Sequence, residues 1–181
     1  DEKITPTVKN NTTVNTVKMK ASLKKTTVVY NGKAQKPQIK EVKVGNNIIS
    51  SKYYSISYKN NKNVGTGYAV IRGKGKYKSY SCTVKFKIIP KSTMIRKITA
   101  AKNTAKVKWK KVSGAGGYQI QCSTNKNFKN AKTKTVKNIT ALKISKLSGK
   151  RTYYVRIRSW KKVGKNVYYS GWSKAKKVKI K

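Results

Sequence analysis

The chain has no histidine and only three acidic residues in 181. Asp1 and Glu2 stand at its very start, which leaves Glu41 as the one carboxylate side chain in the body of the sequence. General acid–base catalysis needs a group titrating near working pH, usually a histidine or a tuned carboxylate. A Ser-His-Asp triad cannot be assembled here, nor can the paired carboxylates of glycoside hydrolysis. We therefore expect no enzyme and no catalytic residue. A metal would have to be held by Cys82, Cys122 and Glu41 alone, short of an ordinary zinc site, so no metal and no organic cofactor is expected. The two cysteines lie 40 positions apart with no motif spacing around them. Isolated thiols are the expectation, with a bridge between domains as the alternative. No run approaches the roughly 18 apolar residues of a membrane span, so no insertion is expected. Signal-peptide and sorting motifs are missing too, and the abrupt start and strand-like end read as a piece of a longer protein. Nor does any window of about 11 residues carry a helical stripe, which argues against a helical bundle.

What is abundant is lysine. Lys and Arg together number 46 for a formal net charge of +43, and Lys outnumbers Arg 41 to 5. Almost no lysine can find an intramolecular salt bridge, so the positive field must be balanced by counterions or by an anionic partner. Two explanations stay open: a solvated, solubilising coat, or an electrostatic footprint for a polyanion. Arginine is favoured where phosphate or guanine edges are read by paired hydrogen bonds, whereas lysine is a hydrated point charge. Contacts with an anion should then be diffuse, and nucleic acid should bind only nonspecifically.

Tyr (12) and Trp (3) outnumber Phe (2), which points to cores and surfaces built on amphipathic aromatics. Residues 1–16 are rich in Thr and Asn without an apolar period and read as a flexible linker. From Val17 onward the pattern becomes short runs of period two: Val17, Met19, Ala21 and Leu23; Val84, Phe86 and Ile88; Val107 and Trp109; Val155 and Ile157; Val178 and Ile180. Period two with charged partners marks half-buried antiparallel strands. Asn31-Gly32 is a strong tight-turn signal, and Gly45-Asn46-Asn47, Asn60-Asn61, Gly73, Gly75 and Gly114 to Gly117 punctuate the rest. The fold class expected is all-β: two tandem antiparallel β-sandwiches, 17–91 and 92–181, roughly 75 and 90 residues long and joined near Pro90 to Thr93.

Residues 93–181 resemble a fibronectin type III domain. The carriers are Trp109 in the second strand, Tyr118 in GGYQIQ, and LSGKRTYYVRIRS at 147–159, where Leu147 and Tyr153 have the spacing of the family's tyrosine corner. The family usually has Pro-Gly-Thr between those two; here Ser148, Gly149 and Lys150 stand there. The resemblance implies that the Tyr153 hydroxyl bonds a backbone group upstream. Residues 17–91 resemble the bacterial immunoglobulin-like repeats of Gram-positive surface proteins, through VVYNGKAQKP at 28–37, YYSISYKNNKNVGTGYAVIRGKGKY at 53–77 and the closing SCTVKFKIIPK. That likeness implies an extracellular, cell-surface module of the stalk, spacer or adhesin kind, and assigns no ligand. Some such domains carry a Lys–Asn isopeptide bond aided by a buried carboxylate. Glu41, in KEVKV, is the only candidate aid and is expected to face solvent.

Two groups are candidate binding residues. YYSGWSK at 168–174 resembles a degenerate Trp-Ser-x-Trp-Ser box. With Val155 and Ile157 turned inward, Tyr154, Arg156 and Arg158 face outward, and Trp172 would stack on the two guanidiniums, either as a structural zipper or as a ligand site. Lys74, Lys76 and Tyr77 occupy GKGKY at 73–77, which has the look of a phosphate loop but not its spacing. Tyr53, Tyr54, Tyr58, Tyr68, Tyr77 and Tyr80 crowd the first half, alternate members being expected in the core and any exposed pair offering a stacking platform. The expected function is a non-catalytic surface module whose lysine faces associate with anionic cell-wall polymer or host glycan. The alternatives are an adhesin for a host protein such as immunoglobulin or a matrix protein, and a passive spacer in a larger secreted protein.

Overall fold

The structure, a computed structural model, describes residues 17–181. The expected linker at 1–16 lies outside the described residues. Among those described there is no α-helix; two isolated 3₁₀ turns, Ser51–Tyr53 and Gly75–Tyr77, are the only helical pieces. The strands build two separate pairs of facing sheets with two hydrophobic cores that share no residue.

In the first half, strands β1 (Met19–Leu23), β3 (Ile39–Val44) and β4 (Asn47–Ile48) form a three-stranded sheet in the order β1-β3-β4. It faces a four-stranded sheet of order β2-β7-β6-β5, made of β2 (Thr27–Val29), β5 (Tyr54–Lys59), β6 (Gly65–Gly73) and β7 (Ser81–Ile89). Period two governs the filling. Along β6, Gly65, Gly67, Ala69 and Ile71 are buried, while Thr66, Tyr68, Val70 and Arg72 lie nearer solvent. The small inward residues make room for Phe86, whose ring a Cβ at Gly67 would strike. Val42, Ile71, Phe86 and Ile88 complete the centre. Val17 does not continue the inward face of β1: it precedes the strand and is 53% exposed.

Two expectations change here. The pair β2–β7 is parallel, with Thr27↔Lys87, Val28↔Ile88 and Val29↔Ile89 in register. Asn31-Gly32 does make a tight turn, with φ +81° at Gly32 and the Asn31 Oδ1 accepting from the Lys33 amide at 2.9 Å. It closes no hairpin, however, because β2 and β3 belong to different sheets. The tyrosines do not alternate between core and surface either. All six are half-buried, five of them packed against the core from its rim. Aliphatic side chains and Phe86 already fill the centre, and a phenol at the rim keeps its hydroxyl hydrated or bonded, as Tyr58 does by donating to the Pro37 carbonyl at 2.7 Å.

In the second half, β8 (Ile95–Ala101), β9 (Thr104–Trp109) and β12 (Ala141–Ile144) form a sheet of order β12-β9-β8. The opposing sheet runs β11 (Lys132–Lys137), β10 (Gly117–Ser123), β13 (Thr152–Val163). On the far edge of β13 lie two short strands, β14 (Asn166–Tyr169) against its end and β15 (Lys176–Lys179) against its start. Trp109, Tyr118, Ile120, Val155 and Ile157 fill the core, with Trp109 and Tyr118 edge-to-face at 5.4 Å. Tyr153 is buried and its hydroxyl accepts from the Ser148 amide at 3.0 Å, so the corner implied by the Leu147–Tyr153 spacing is formed.

The joint is short and tied on both sides. Pro90 and Thr93 are buried, and the Thr93 hydroxyl donates to the Lys110 carbonyl. The buried Ser159 of β13 donates its hydroxyl to the Lys91 carbonyl at 2.6 Å, and the hydroxyls of Thr66 and Tyr168 meet across the boundary at 2.8 Å.

Candidate functional site

Strand β13 presents Tyr153, Val155, Ile157 and Ser159 to the core, so Tyr154, Arg156 and Arg158 must point the other way. Between β14 and β15 the chain leaves the sheet over residues 170–175 and carries Trp172 across this outer face. The result is one continuous stack. Arg156 lies 4.0 Å from the Phe128 ring and 4.6 Å from Trp172; Arg158 lies 4.3 Å from Trp172 and 3.9 Å from Tyr169. The order is therefore Phe128, Arg156, Trp172, Arg158, Tyr169. Flat guanidinium planes on ring faces are the arrangement that favours Arg over Lys. Neighbouring strand β10 supplies the edge-on contacts. Gln121 Oε1 accepts from Nε and Nη2 of Arg156 at 2.9 and 2.7 Å, and Gln119 Oε1 does the same for Arg158 at 2.8 and 2.6 Å. The acceptors are neutral amides, so neither charge is cancelled. Burial pulls both guanidiniums below their ordinary pKa; at Arg158 the Tyr169 phenol opposes this and Arg156 adds to it. Tyr154 stands apart from the stack, with the Lys177 ammonium 5.7 Å from its ring.

The second candidate group gathers at the other sandwich. Gly73 permits the turn, since a Cβ there would collide with the Tyr77 carbonyl. The Lys74 amide then donates to the Tyr53 carbonyl at 2.7 Å, which brings the two 3₁₀ turns side by side. Tyr53 and Tyr77 meet edge-to-face at 5.6 Å, and Tyr80 follows at 6.5 Å from Tyr77. The Lys76 ammonium sits 5.3 Å from Tyr77 and 5.8 Å from Tyr53, and Lys52 sits 5.0 Å from Tyr53. Lys74 itself is exposed. The sequence-predicted residues thus form two clusters on different sandwiches rather than one site. Phe128, Tyr169, Gln119 and Gln121 complete the first, Tyr53, Tyr80 and Lys52 the second. Of these, Tyr53 and Tyr80 stood among the crowded tyrosines of the first half and Tyr169 within YYSGWSK; Phe128, Gln119, Gln121 and Lys52 carried no signal in the sequence.

A third feature has no counterpart in the sequence reading. On the outer face of β8, β9 and β12, Lys108 lies directly opposite Lys97, and Lys106 directly opposite Lys143. All four are exposed, and Thr99, Ala101 and Thr104 make a low floor between them. Like charges directly opposite across strands destabilise a sheet, on a scale of about 0.2–1 kcal/mol per pair. Among the described residues no carboxylate side chain offsets them: Glu41 is in the other sandwich, where it is half-buried and paired with Lys43 at 3.1 Å. The signal was there in KVKWKK and LKIS, but in a chain with 41 lysines it did not stand out.

Cys82 and Cys122 are both free and lie in different cores. Burial pushes the Cys122 thiol up to about 11, with Lys132 acting weakly the other way. Among the described residues no three or more Cys, Asp, Glu or His side chains come together as metal ligands.

The strand orders, the opposed sheets and the tyrosine corner define an all-β protein of immunoglobulin-like and fibronectin type III architecture. No family model matches the chain, and no curated protein matches it. Among solved structures it is similar to the crystal structure of the FN1–FN3 domains of chicken CNTN1, at 12% identity and a TM-score of 0.43. That alignment takes in 71% of this chain and 56% of the other.

Proposed function

We propose that the chain is a non-catalytic interaction module of a bacterial cell surface, whose lysine faces hold an anionic polymer such as a phosphate-rich wall polymer or an acidic host glycan. The observation that supports this most directly is the pair of opposed lysine couples, Lys97–Lys108 and Lys106–Lys143, on one exposed sheet face. Such couples cost stability in the isolated chain, and a bound polyanion reverses the sign of that cost. The guanidinium stack is less available: its planes are covered by rings and one edge of each guanidinium by Gln119 or Gln121, so it stiffens the sheet that carries it.

The test is retention on immobilised polyphosphate as salt is raised from ~50 to ~200 mM. Several ionic contacts should cost orders of magnitude in affinity over that range. Changing Lys97, Lys106, Lys108 and Lys143 together to Gln should flatten the log–log salt slope by ~3, at ~0.7–0.9 per lost contact. The same variant should melt at a higher temperature than the parent, because it removes two repulsive pairs. An unchanged slope with raised stability would mean that the lysines are only a solvated coat.

A further inference from the structure

At the joint between the sandwiches lies a groove of about 760 Å³, walled by the end of β2 and its turn, the linker 91–94, and the segment 110–113. It differs in chemistry from the rest of the surface. Val29 is 50% exposed and Met94 61% exposed, two of the eight large apolar side chains left exposed among the described residues, and here half-buried Tyr30 and Val112 extend them into one patch. Several of the polar groups around it are already engaged. The Thr93 hydroxyl is bonded to the Lys110 carbonyl, the Val112 amide donates to the Tyr118 hydroxyl at 2.7 Å, and the Tyr30 amide donates to the Ile89 carbonyl at 2.9 Å. What the groove still offers is an apolar floor with exposed lysines, Lys91, Lys110 and Lys111, on its rim.

We propose that this groove takes an acidic peptide segment of a partner protein, seating one or two large apolar side chains on Val29 and Met94 with carboxylates on either side paired to Lys91, Lys110 and Lys111. The proposal stands on different residues from the polyanion reading and does not depend on it. Charge complementarity selects the occupant. A second copy of this chain has three acids against 46 bases and would set lysine against lysine. A sugar–phosphate polymer satisfies the rim but gains nothing from Met94 and Val29. The volume suits one or two large side chains of a peptide, within the usual range of ligand clefts. The groove is also held open in advance. The Ser159–Lys91 and Thr66–Tyr168 bonds fix the two walls relative to one another, so little ordering cost falls on binding.

The probe is a fluorescent synthetic peptide with Leu-Phe flanked by glutamates, read by anisotropy at ~200 mM salt, where diffuse attraction is screened beyond about 8 Å. It should bind at least about tenfold more tightly than the same peptide with Ser-Ser at its centre, the worth of burying one such side chain. Met94→Ser and Val29→Ser should each weaken it severalfold; both side chains are exposed, so folding is spared. The four-lysine variant on β8, β9 and β12 should bind it as the parent does. Equal affinity for the Ser-Ser peptide, or indifference to Met94→Ser and Val29→Ser, overturns the proposal. So does an equal loss in the four-lysine variant, which would reassign binding to diffuse charge. Vesicles of phosphatidylglycerol are the last arm. Binding to them that depends on Met94, without peptide binding, would replace the peptide with a membrane surface.

Discussion

Phe128 holds a left-handed backbone, φ +61°, that a bulky side chain rarely adopts. The loop around it is over-determined. Ser123 donates its hydroxyl to the Lys129 carbonyl, and the Phe128 amide donates to the Asn125 carbonyl at 3.0 Å. What the strained residue achieves is the end cap of the stack, its ring 4.0 Å from Arg156. Because Trp172 lies between both guanidiniums, its removal should not act independently of theirs. In a double-mutant cycle, Trp172→Ala and Arg156→Ala should couple by about 0.5–1 kcal/mol, measured by chemical denaturation. Additive losses would mean that the stack contributes no pairwise energy. Cys122 makes a different residue-scale prediction. Its thiol titrates near 9.0 in an ordinary setting and at about 11 when buried here, so the neutral form is favoured by folding. That stability is present in full below the unfolded value and is lost as pH rises through the folded one. The melting temperature of the parent should therefore fall relative to Cys122→Ala between pH 9 and 11, and a constant gap would show that the thiol is not buried in solution.

At the scale of the element, the last strand is broken where serine substitutes for sheet. Opposite β13, the Ser170 and Ser173 amides donate to the Ser159 and Ile157 carbonyls at 3.0 and 2.7 Å. Their hydroxyls accept from the Ser159 and Ile157 amides at 3.0 and 3.1 Å. Each serine thus supplies a donor from its backbone and an acceptor from its side chain, and the ladder stays satisfied while the chain lifts Trp172 onto the outer face. Ser173→Ala would leave the Ile157 amide without its acceptor, at a cost of about 1–3 kcal/mol. Amide exchange at Ile157 should quicken in step, and Ser173→Thr, which keeps a hydroxyl, should recover most of the loss. This element also shows what a single sequence reveals. The inward period of β13, the Leu147–Tyr153 corner and the approach of Trp172 to Arg156 and Arg158 were legible, because charged and apolar residues alternate strictly there. The parallel pairing of β2 was not: three residues hold too little pattern to specify a direction. The glutamines that hold the guanidiniums were hidden too, since register between β10 and β13 depends on distant parts of the chain. The lysine face of β9 went unseen because lysine recurs throughout the chain, leaving little contrast from which a site could be read.

For the whole molecule, the governing fact is a charge of +43 with one ion pair among the described residues. Folding brings those charges closer together than they are in an expanded chain, so repulsion weighs on the native state. Salt shortens its reach, to about 8 Å at physiological strength. The melting temperature should rise between ~20 and ~300 mM NaCl, and a flat or falling curve would show lysines spaced too widely to matter. The direction of β2 has a consequence at this scale as well. Its partner β7 leads through Pro90 straight into the joint, and the rungs continue as bonds from the Lys87 amide to the Thr26 carbonyl and from the Tyr30 amide to the Ile89 carbonyl, at 2.8 and 2.9 Å. In parallel strands the incoming end of one and the outgoing end of the other lie at opposite ends of the pair. Tension entering through Leu23 and leaving through Pro90 therefore loads Thr27↔Lys87, Val28↔Ile88 and Val29↔Ile89 together, in shear. An antiparallel pair in the same place would open one rung at a time, like a zipper; this one behaves as a clamp.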